Sequence, residues 1–267
     1  ESSNSTEATI WVRVYDNITT SNSYIYMYYG NIEVSNVSNG TLTFDLFDDF
    51  LGSGVDTSLW DVTGTFNVAD GWCSVTGNSG YPHLTTGNAV VGSSWAVEQY
   101  LNITNVGSGS YVGYKTEDVV GGNLKDGVSW YTEGSNDRYV RFNGAGSFQS
   151  GTNKGLLVDE VRLMIANWPG NIRMRADWKN SSNSFDDNWT GTTEDSDAKI
   201  EIFKSYSSYN IDADWVFARP YSDPEPTSAF SEEENYSSTQ KGTVSTNPGD
   251  TPFYTNVTNP YNLTLNA

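Results

Sequence analysis

The side chains in this 267-residue chain that could do chemistry are few. Cys73 and His83 are its only cysteine and its only histidine. A Cys–His nucleophile pair needs both to meet, but Cys73 in Trp72-Cys-Ser-Val75 reads as a small buried apolar residue. Asp159-Glu160 and Glu117-Asp118 are adjacent in sequence, so on strands each pair points to opposite faces and cannot share a substrate. In Glu194-Asp-Ser-Asp-Ala-Lys-Ile-Glu201, Asp197, Lys199 and Glu201 share one strand face while Ala198, Ile200 and Ile202 face inward. A lysine between two acids reads as a solvated polar face. Arg138, Arg141, Arg162, Arg173 and Arg175 concentrate the positive charge in neighbouring strands, where they fit cross-strand salt bridges. No glycine-rich phosphate loop is present.

Aromatic rings are the other resource. Trp95, Tyr100, Tyr111, Tyr114, Trp130, Tyr131 and Tyr139 lie in one stretch, and a sugar needs ring faces beside amides and carboxylates. Roughly half of them must face a core by alternation. In Val128-Ser-Trp-Tyr-Thr132, Trp130 shares its face with Val128, which leaves Tyr131 outward. Tyr131, Tyr139 and Trp95 are the expected glycan-binding rings.

Charge and composition bound the partners. The net charge of −19 disfavours nucleic acid and anionic membranes, which would repel the chain. A single cysteine allows neither an intrachain disulfide nor a multi-cysteine zinc site. No run of 18 apolar residues exists, so a membrane-spanning helix is not expected. The chain starts at Glu1 with no apolar stretch after it, and any signal peptide is expected to have been removed. Asn-x-Ser/Thr sequons stand at Asn4, Asn17, Asn36, Asn39, Asn102, Asn180, Asn188, Asn235, Asn256 and Asn262. Together with the acidic surface they point to an extracellular, cell-surface glycoprotein.

The elements that must position these residues are strands. The 27 Asn, 32 Ser, 27 Thr and 25 Gly suit turns and strands rather than long helices. Thr9–Tyr15 alternates with Ile10, Val12 and Val14 on one face, and Ser23–Tyr29 alternates with Ile25 and Met27 opposite Tyr24, Tyr26 and Tyr28. Further strands are expected at 40–47, 64–68, 72–77, 95–104, 109–116, 127–132, 137–143, 159–166, 171–178, 198–204 and 211–219. The reading is all-β: a partial two-strand segment at 1–38, a complete β-sandwich at 39–222, an acidic Pro/Ser linker at 223–239, and at 240–267 the start of a further β module or an exchanged strand.

Particular residues carry a resemblance. Trp11-Val-Arg-Val and Ile25-Tyr-Met-Tyr-Tyr-Gly-Asn31 resemble the end of an uncharacterised domain family of prokaryotic, often archaeal, surface proteins. Phe47-Asp-Asp-Phe50 with Asp56-Thr-Ser-Leu-Trp60 resembles the opening of the concanavalin A-like lectin/glucanase sandwich, and Asp214-Trp-Val-Phe-Ala-Arg-Pro-Tyr221 resembles its last strand. Pro252-Phe-Tyr and Asn259-Pro look like the start of an immunoglobulin-like module. The resemblance implies a concanavalin A-like jelly roll flanked by partial immunoglobulin-like segments. Glucanases of that group carry Glu-x-Asp-x-Glu on one strand, and in this chain Lys199 stands where the central acid belongs, so the chain is expected not to be an enzyme. Many such sandwiches tie first and last strands with calcium. Asp48, Asp49 and Asp214 occupy the matching positions, and calcium is the one cofactor implied.

Two roles remain on the sequence. One is a structural subunit of a cell-surface assembly or filament, or an adhesin, partnered by its own copies or other surface proteins. The alternative is a lectin-like module that binds glycans, with a glycoside hydrolase a distant third. The apolar two-strand ribbon at 1–38 and the β-prone tail at 240–267 suggest a strand passed from one subunit to the next.

Overall fold

A computed structural model describes residues 2–3, 7–14, 25, 38–75, 82–87, 94–105, 110–117, 127–133, 136–143, 147–153, 159–179, 184–190, 199–204, 210–226 and 259–266, with backbone alone at 2–3, 7–9, 185, 189–190, 201, 203–204, 210, 259–266 and throughout the described part of 105–153. The second expected strand, 23–29, therefore lies outside the described residues apart from Ile25.

The chain opens with β1 (Ser2–Ser3) and β2 (Glu7–Val14). A single helical turn, α1 (Gly40–Thr43), leads into β3 (Leu46–Asp48), β4 (Trp60–Thr63), β5 (Phe66–Ala69), β6 (Trp72–Val75) and β7 (His83–Thr86). The central strands are β8 (Trp95–Asn105), β9 (Ser110–Glu117), β10 (Gly127–Glu133), β11 (Asn136–Asn143) and β12 (Ser147–Asn153). Then come β13 (Asp159–Trp168), β14 (Asn171–Trp178), β15 (Phe185–Thr190), β16 (Lys199–Lys204), β17 (Asn210–Pro220) and β18 (Asn259–Asn266). Two compact units result: residues 1–38 with 224–267, and residues 39–223.

The first unit holds a three-stranded sheet in the order β1-β2-β18. β18 runs antiparallel to β2 along its whole length, from Asn259 opposite Val14 to Asn266 opposite Glu7. The strand in the tail is thus paired with β2 of its own chain.

The second unit is a sandwich of a seven-stranded sheet, β12-β11-β10-β9-β16-β7-β4, and an eight-stranded sheet, β15-β14-β13-β8-β17-β6-β5 with β3 also on β17. Alternation along the strands builds the core between them. Trp95, Val97, Leu101 and Ile103 of β8 face inward with Val161, Leu163 and Ile165 of β13 and Ile172, Met174 and Trp178 of β14. Trp60, Leu84 and Ile200 meet them from the seven-stranded sheet. Each fully buried aliphatic side chain is worth about 1.5–3 kcal/mol of transfer free energy.

The strand expected over 40–47 begins instead as α1. Asn39 has extended backbone (φ −146°, ψ 103°), and its Oδ1 accepts from Leu42 N at 3.0 Å and Thr41 Oγ1 at 2.8 Å. That is an N-cap, which satisfies a first-turn donor and favours a helical turn over a strand. Gly40 is pressed on Phe47: a Cβ there would lie 2.3 Å from the ring.

β17 sets the geometry of the outer face. Its register against β8 slips between Ala213 and Trp215, so Asp214 is the extra residue of a bulge. Ala213 and Val216 therefore both join the core. Trp215 and Phe217 turn to the opposite side of the sheet, where Trp215 stacks on Tyr100 of β8 and Phe217 on Phe44.

Candidate functional site

On that outer face the rings form a continuous row. Tyr100 and Trp215 are register partners across β8 and β17, with ring centroids 6.1 Å apart and planes 23° apart. Trp72 of β6, the strand beyond β17, lies 6.2 Å from Tyr100 at 48°. Beyond Trp215 the stack continues through Phe217 at 5.1 Å, Phe44 at 4.0 Å and Phe47 at 5.8 Å. Phe217 and Phe44 are buried, whereas Trp72, Tyr100 and Trp215 are half-buried and keep ring surface in solvent.

Polar groups crowd the open end of the row. The Tyr100 hydroxyl donates to Glu160 Oε2, and Lys179 Nζ reaches the same oxygen at 2.7 Å. Lys179, and after it Tyr100, hold the Glu160 carboxyl below the ordinary range. Burial, then the hydrogen bond to Glu160, pushes the Tyr100 hydroxyl up. Asp214, on the bulge beside Trp215, is half-buried and accepts no hydrogen bond among the described residues. Burial raises its pKa first, and repulsion from Glu160 and Asp49 adds to this. The neighbourhood therefore has carboxylate acceptors next to exposed ring faces.

A rigid base lies one row along the same face. Glu98 is 2% exposed and takes Arg162 Nη2 at 2.6 Å on one oxygen and Arg219 Nε and Nη2, both at 3.0 Å, on the other. Burial alone would raise Glu98, but the two guanidinium groups outweigh it and hold the carboxyl below its usual range. Arg173 pairs with Asp186 at 2.5 Å and donates to the Tyr221 hydroxyl at 3.0 Å. Arg175 pairs with Asp177 at 2.8 Å. The arginines expected in cross-strand bridges are so engaged at 162 and 173, whereas Arg175 pairs within its own strand β14, and the side chains of Arg138 and Arg141 lie outside the described residues.

The expected site residues fare unevenly. Trp95 is 2% exposed and belongs to the core, so it presents no face to a glycan; it shares the inward side of β8 with Val97, and alternation leaves it no other side. Tyr131 and Tyr139 stand on β10 and β11 of the seven-stranded sheet, opposite Arg138 and Trp130, and their side chains lie outside the described residues. Cys73 is buried on β6, with its thiol pushed up to about 12 by burial and then by Asp48 and Asp212, so no thiolate is available. His83 lies on β7, in the other sheet. Asp197 lies outside the described residues, and Ile200 is buried as expected. Among the sequons, Asn39 and Asn188 are exposed and Asn102 is half-buried between β13 and β17. Asn262 is placed on β18 by its backbone alone, and Asn4, Asn17, Asn36, Asn180, Asn235 and Asn256 lie outside the described residues.

The calcium set does not assemble as expected. Asp48 Oδ1 accepts from Phe50 N at 2.9 Å and Oδ2 from Trp60 Nε1 at 2.7 Å, which makes it a strand-end cap. Among the described residues, no three of His, Cys, Asp and Glu are grouped so as to hold a metal. Asp49 is near enough to raise the Asp214 pKa, and Asp214 accepts no hydrogen bond from a described residue.

Comparison with known proteins puts this geometry in context. A model described as a domain of unknown function (DUF2341) matches residues 1–63. No curated protein matches the chain. A glycosyl hydrolase family protein from Mycobacterium fortuitum is 10% identical with a TM-score of 0.51, over 66% of this chain and 99% of that one. A β-1,3-glucanase from Mycobacterium marinum is 12% identical with a TM-score of 0.50, over 66% and 98%. The CBM2 module of the evolved Dit of Lactobacillus casei BL23 phage J-1 is 10% identical with a TM-score of 0.51, over 66% and 94%. The sandwich is a concanavalin A-like jelly roll. Because structures named as a glycosyl hydrolase and a glucanase share it, the expectation that the chain is not an enzyme does not stand. A missing Glu-x-Asp-x-Glu run is no ground for excluding catalysis when carboxylates from different strands can meet in space.

Proposed function

We propose that this protein is a carbohydrate-binding jelly-roll sandwich and that its outer-face ring row is a contact surface for sugar. The observation that carries the reading is the ring cluster of Trp72, Tyr100 and Trp215, half open to solvent, with Glu160, Lys179 and Asp214 beside it. Flat ring faces stack on the C–H faces of pyranoses, and carboxylates and an ammonium group hydrogen-bond hydroxyls. The jelly-roll fold supports a glycan-related role. Action outside the cell, where Asn39 and the other sequons would carry sugars, is part of the same proposal. Titration calorimetry of the full chain against a panel of soluble oligosaccharides tests it. Binding that weakens in Trp215→Ala supports the reading, and no binding across the panel refutes it.

A further inference from the structure

We infer that Asn39 is the sequon asparagine that the folded chain offers for N-linked glycosylation, while the sequons at Asn102 and Asn188 are closed by the sheet that holds them. This rests on the extracellular part of the reading above and narrows it to one residue.

The carboxamide of Asn39 is divided between two tasks. Its Oδ1 accepts from Leu42 N at 3.0 Å and from Thr41 Oγ1, the sequon's own hydroxyl, at 2.8 Å. Its Nδ2 donates to none of the described residues. Transfer of an oligosaccharide from a polyprenyl phosphate or diphosphate uses that nitrogen. Nδ2 attacks the anomeric carbon and a C–N bond forms. The C–O bond to phosphate breaks, and its electron pair leaves on the lipid phosphate. One Nδ2 proton passes to a base of the transferase, and the other stays. The product is still an amide, so its carbonyl oxygen goes on capping α1. Ser38, Asn39 and Thr41 are exposed and Leu42 is 68% exposed, so the added bulk meets solvent rather than core.

The bonds each sequon must release separate the three. Those of Asn39–Thr41 are local: Thr43 N to Asn39 O at 3.2 Å, Thr43 Oγ1 to the same oxygen at 2.8 Å, and Phe44 N to Gly40 O at 2.9 Å. A lone four-residue turn is marginal by itself and opens without breaking a sheet. Asn102 lies instead on the central strand β8, opposite Glu160 of β13 and Asp212 of β17. Ile103, the middle residue of its sequon, is 4% exposed and belongs to the core. To present this sequon, β8 must leave both neighbours and bring Ile103 into water. Asn188 is exposed, but β15 is laddered to β14, with Asn188 opposite Arg173 and Thr190 opposite Asn171. Asn102 and Tyr100 alternate onto the same face of β8, so an unmodified Asn102 also leaves the outer rings uncovered.

The test incubates the folded full chain with a single-subunit oligosaccharyltransferase that reads Asn-x-Ser/Thr and with its lipid-linked oligosaccharide. A proteolytic digest of the same chain, in which every sequon is open, runs beside it, and peptide mass spectrometry maps the products. Asn39 is expected to gain the oligosaccharide in both samples, and Asn102 and Asn188 in the digest only. Modification of Asn39 in the digest but not in the folded chain overturns the inference, and so does modification of Asn102 or Asn188 in the folded chain. Asn39→Asp keeps a capping oxygen and lacks Nδ2, so it should lose the added mass at this site and melt with wild type. Asn39→Ala, which loses the cap, should melt about 2–4 °C lower. The glycosylated chain is expected to melt no lower than the unmodified one; a fall to the Asn39→Ala value would mean that the sugar displaces the cap. Asn39 modified in this assay but bare in chain taken from its native source removes the extracellular reading and leaves the inference standing.

Discussion

Arg219 grips Glu98 with two nitrogens on one carboxylate oxygen, both at 3.0 Å, and the two side chains are 4% and 2% exposed. Arg162 holds the other oxygen from the neighbouring strand, so one carboxylate ties β17, β8 and β13 together on the outer face. Glu98→Gln removes the charge and leaves two guanidinium groups facing a neutral amide. The expected cost is about 3–5 kcal/mol, as for a broken buried pair. The Glu98 carboxyl is held below its unfolded value, so its contribution is complete above the ordinary glutamate range and fades as pH falls through the folded value. Wild type and Glu98→Gln should therefore differ most at neutral pH and converge in strong acid, read by urea unfolding across pH.

Asp48 and Asp214 separate a cap from a cation site. Asp48→Ala strips acceptors from Phe50 N and Trp60 Nε1 and should cost about 1–3 kcal/mol with or without calcium. Asp214→Asn should behave oppositely. Its folded pKa is raised, so the ionised group opposes folding as pH rises, and the amide should melt higher than wild type in chelator. Adding calcium should then raise the wild-type melting temperature and leave Asp214→Asn unmoved. A calcium response that survives in Asp214→Asn would place the ion elsewhere.

Gly40→Ala puts a methyl group 2.3 Å from the Phe47 ring at the mouth of the ring stack. The Phe47–Phe44 contact at 5.8 Å must open to admit it. Overpacking of this kind costs about 1–3 kcal/mol, visible as a lower denaturant midpoint with an unchanged slope.

Removal of residues 259–266 takes away β18, which pairs with all of β2. The sandwich contains neither strand, so its cooperative melt should persist. Protection of the β2 amides in hydrogen exchange should be lost. Protection that survives the truncation would mean that β2 has another partner.

Much of this architecture was legible because alternation is loudest where a strand is buried on one side. β8, β13, β14 and β17 all announce themselves by inward Val, Ile, Leu and Trp at every second position. The sequence does not announce the strands at 60–63, 83–86, 147–153 and 185–190; β4, β12 and β15 are sheet edges, and β7 is a four-residue strand beside one. Edge strands are short or carry charge, as Asp61, Asp186 and Asp187 do, which keeps them from pairing with other chains and erases their pattern. The site was harder. Trp95 was open to correct reading, since it is in phase with Val97 and Leu101. Trp215 was not: strict alternation from Ile211 and Ala213 sends it into the core, and only the extra residue at Asp214 turns it outward. A bulge leaves no mark in a single sequence, so the residue that creates the outer row is also the one that hides it.

The pairing of β2 with β18 imposes an order of events on synthesis. Glu7 waits for Asn266, 259 residues later, the longest-range pairing in the sheet ladders among the described residues. β3 lies against β17, with Leu46 opposite Ala218, so once the sandwich has formed its entrance and exit are neighbours. The three-stranded sheet is thus complete only after the whole jelly roll has been translated.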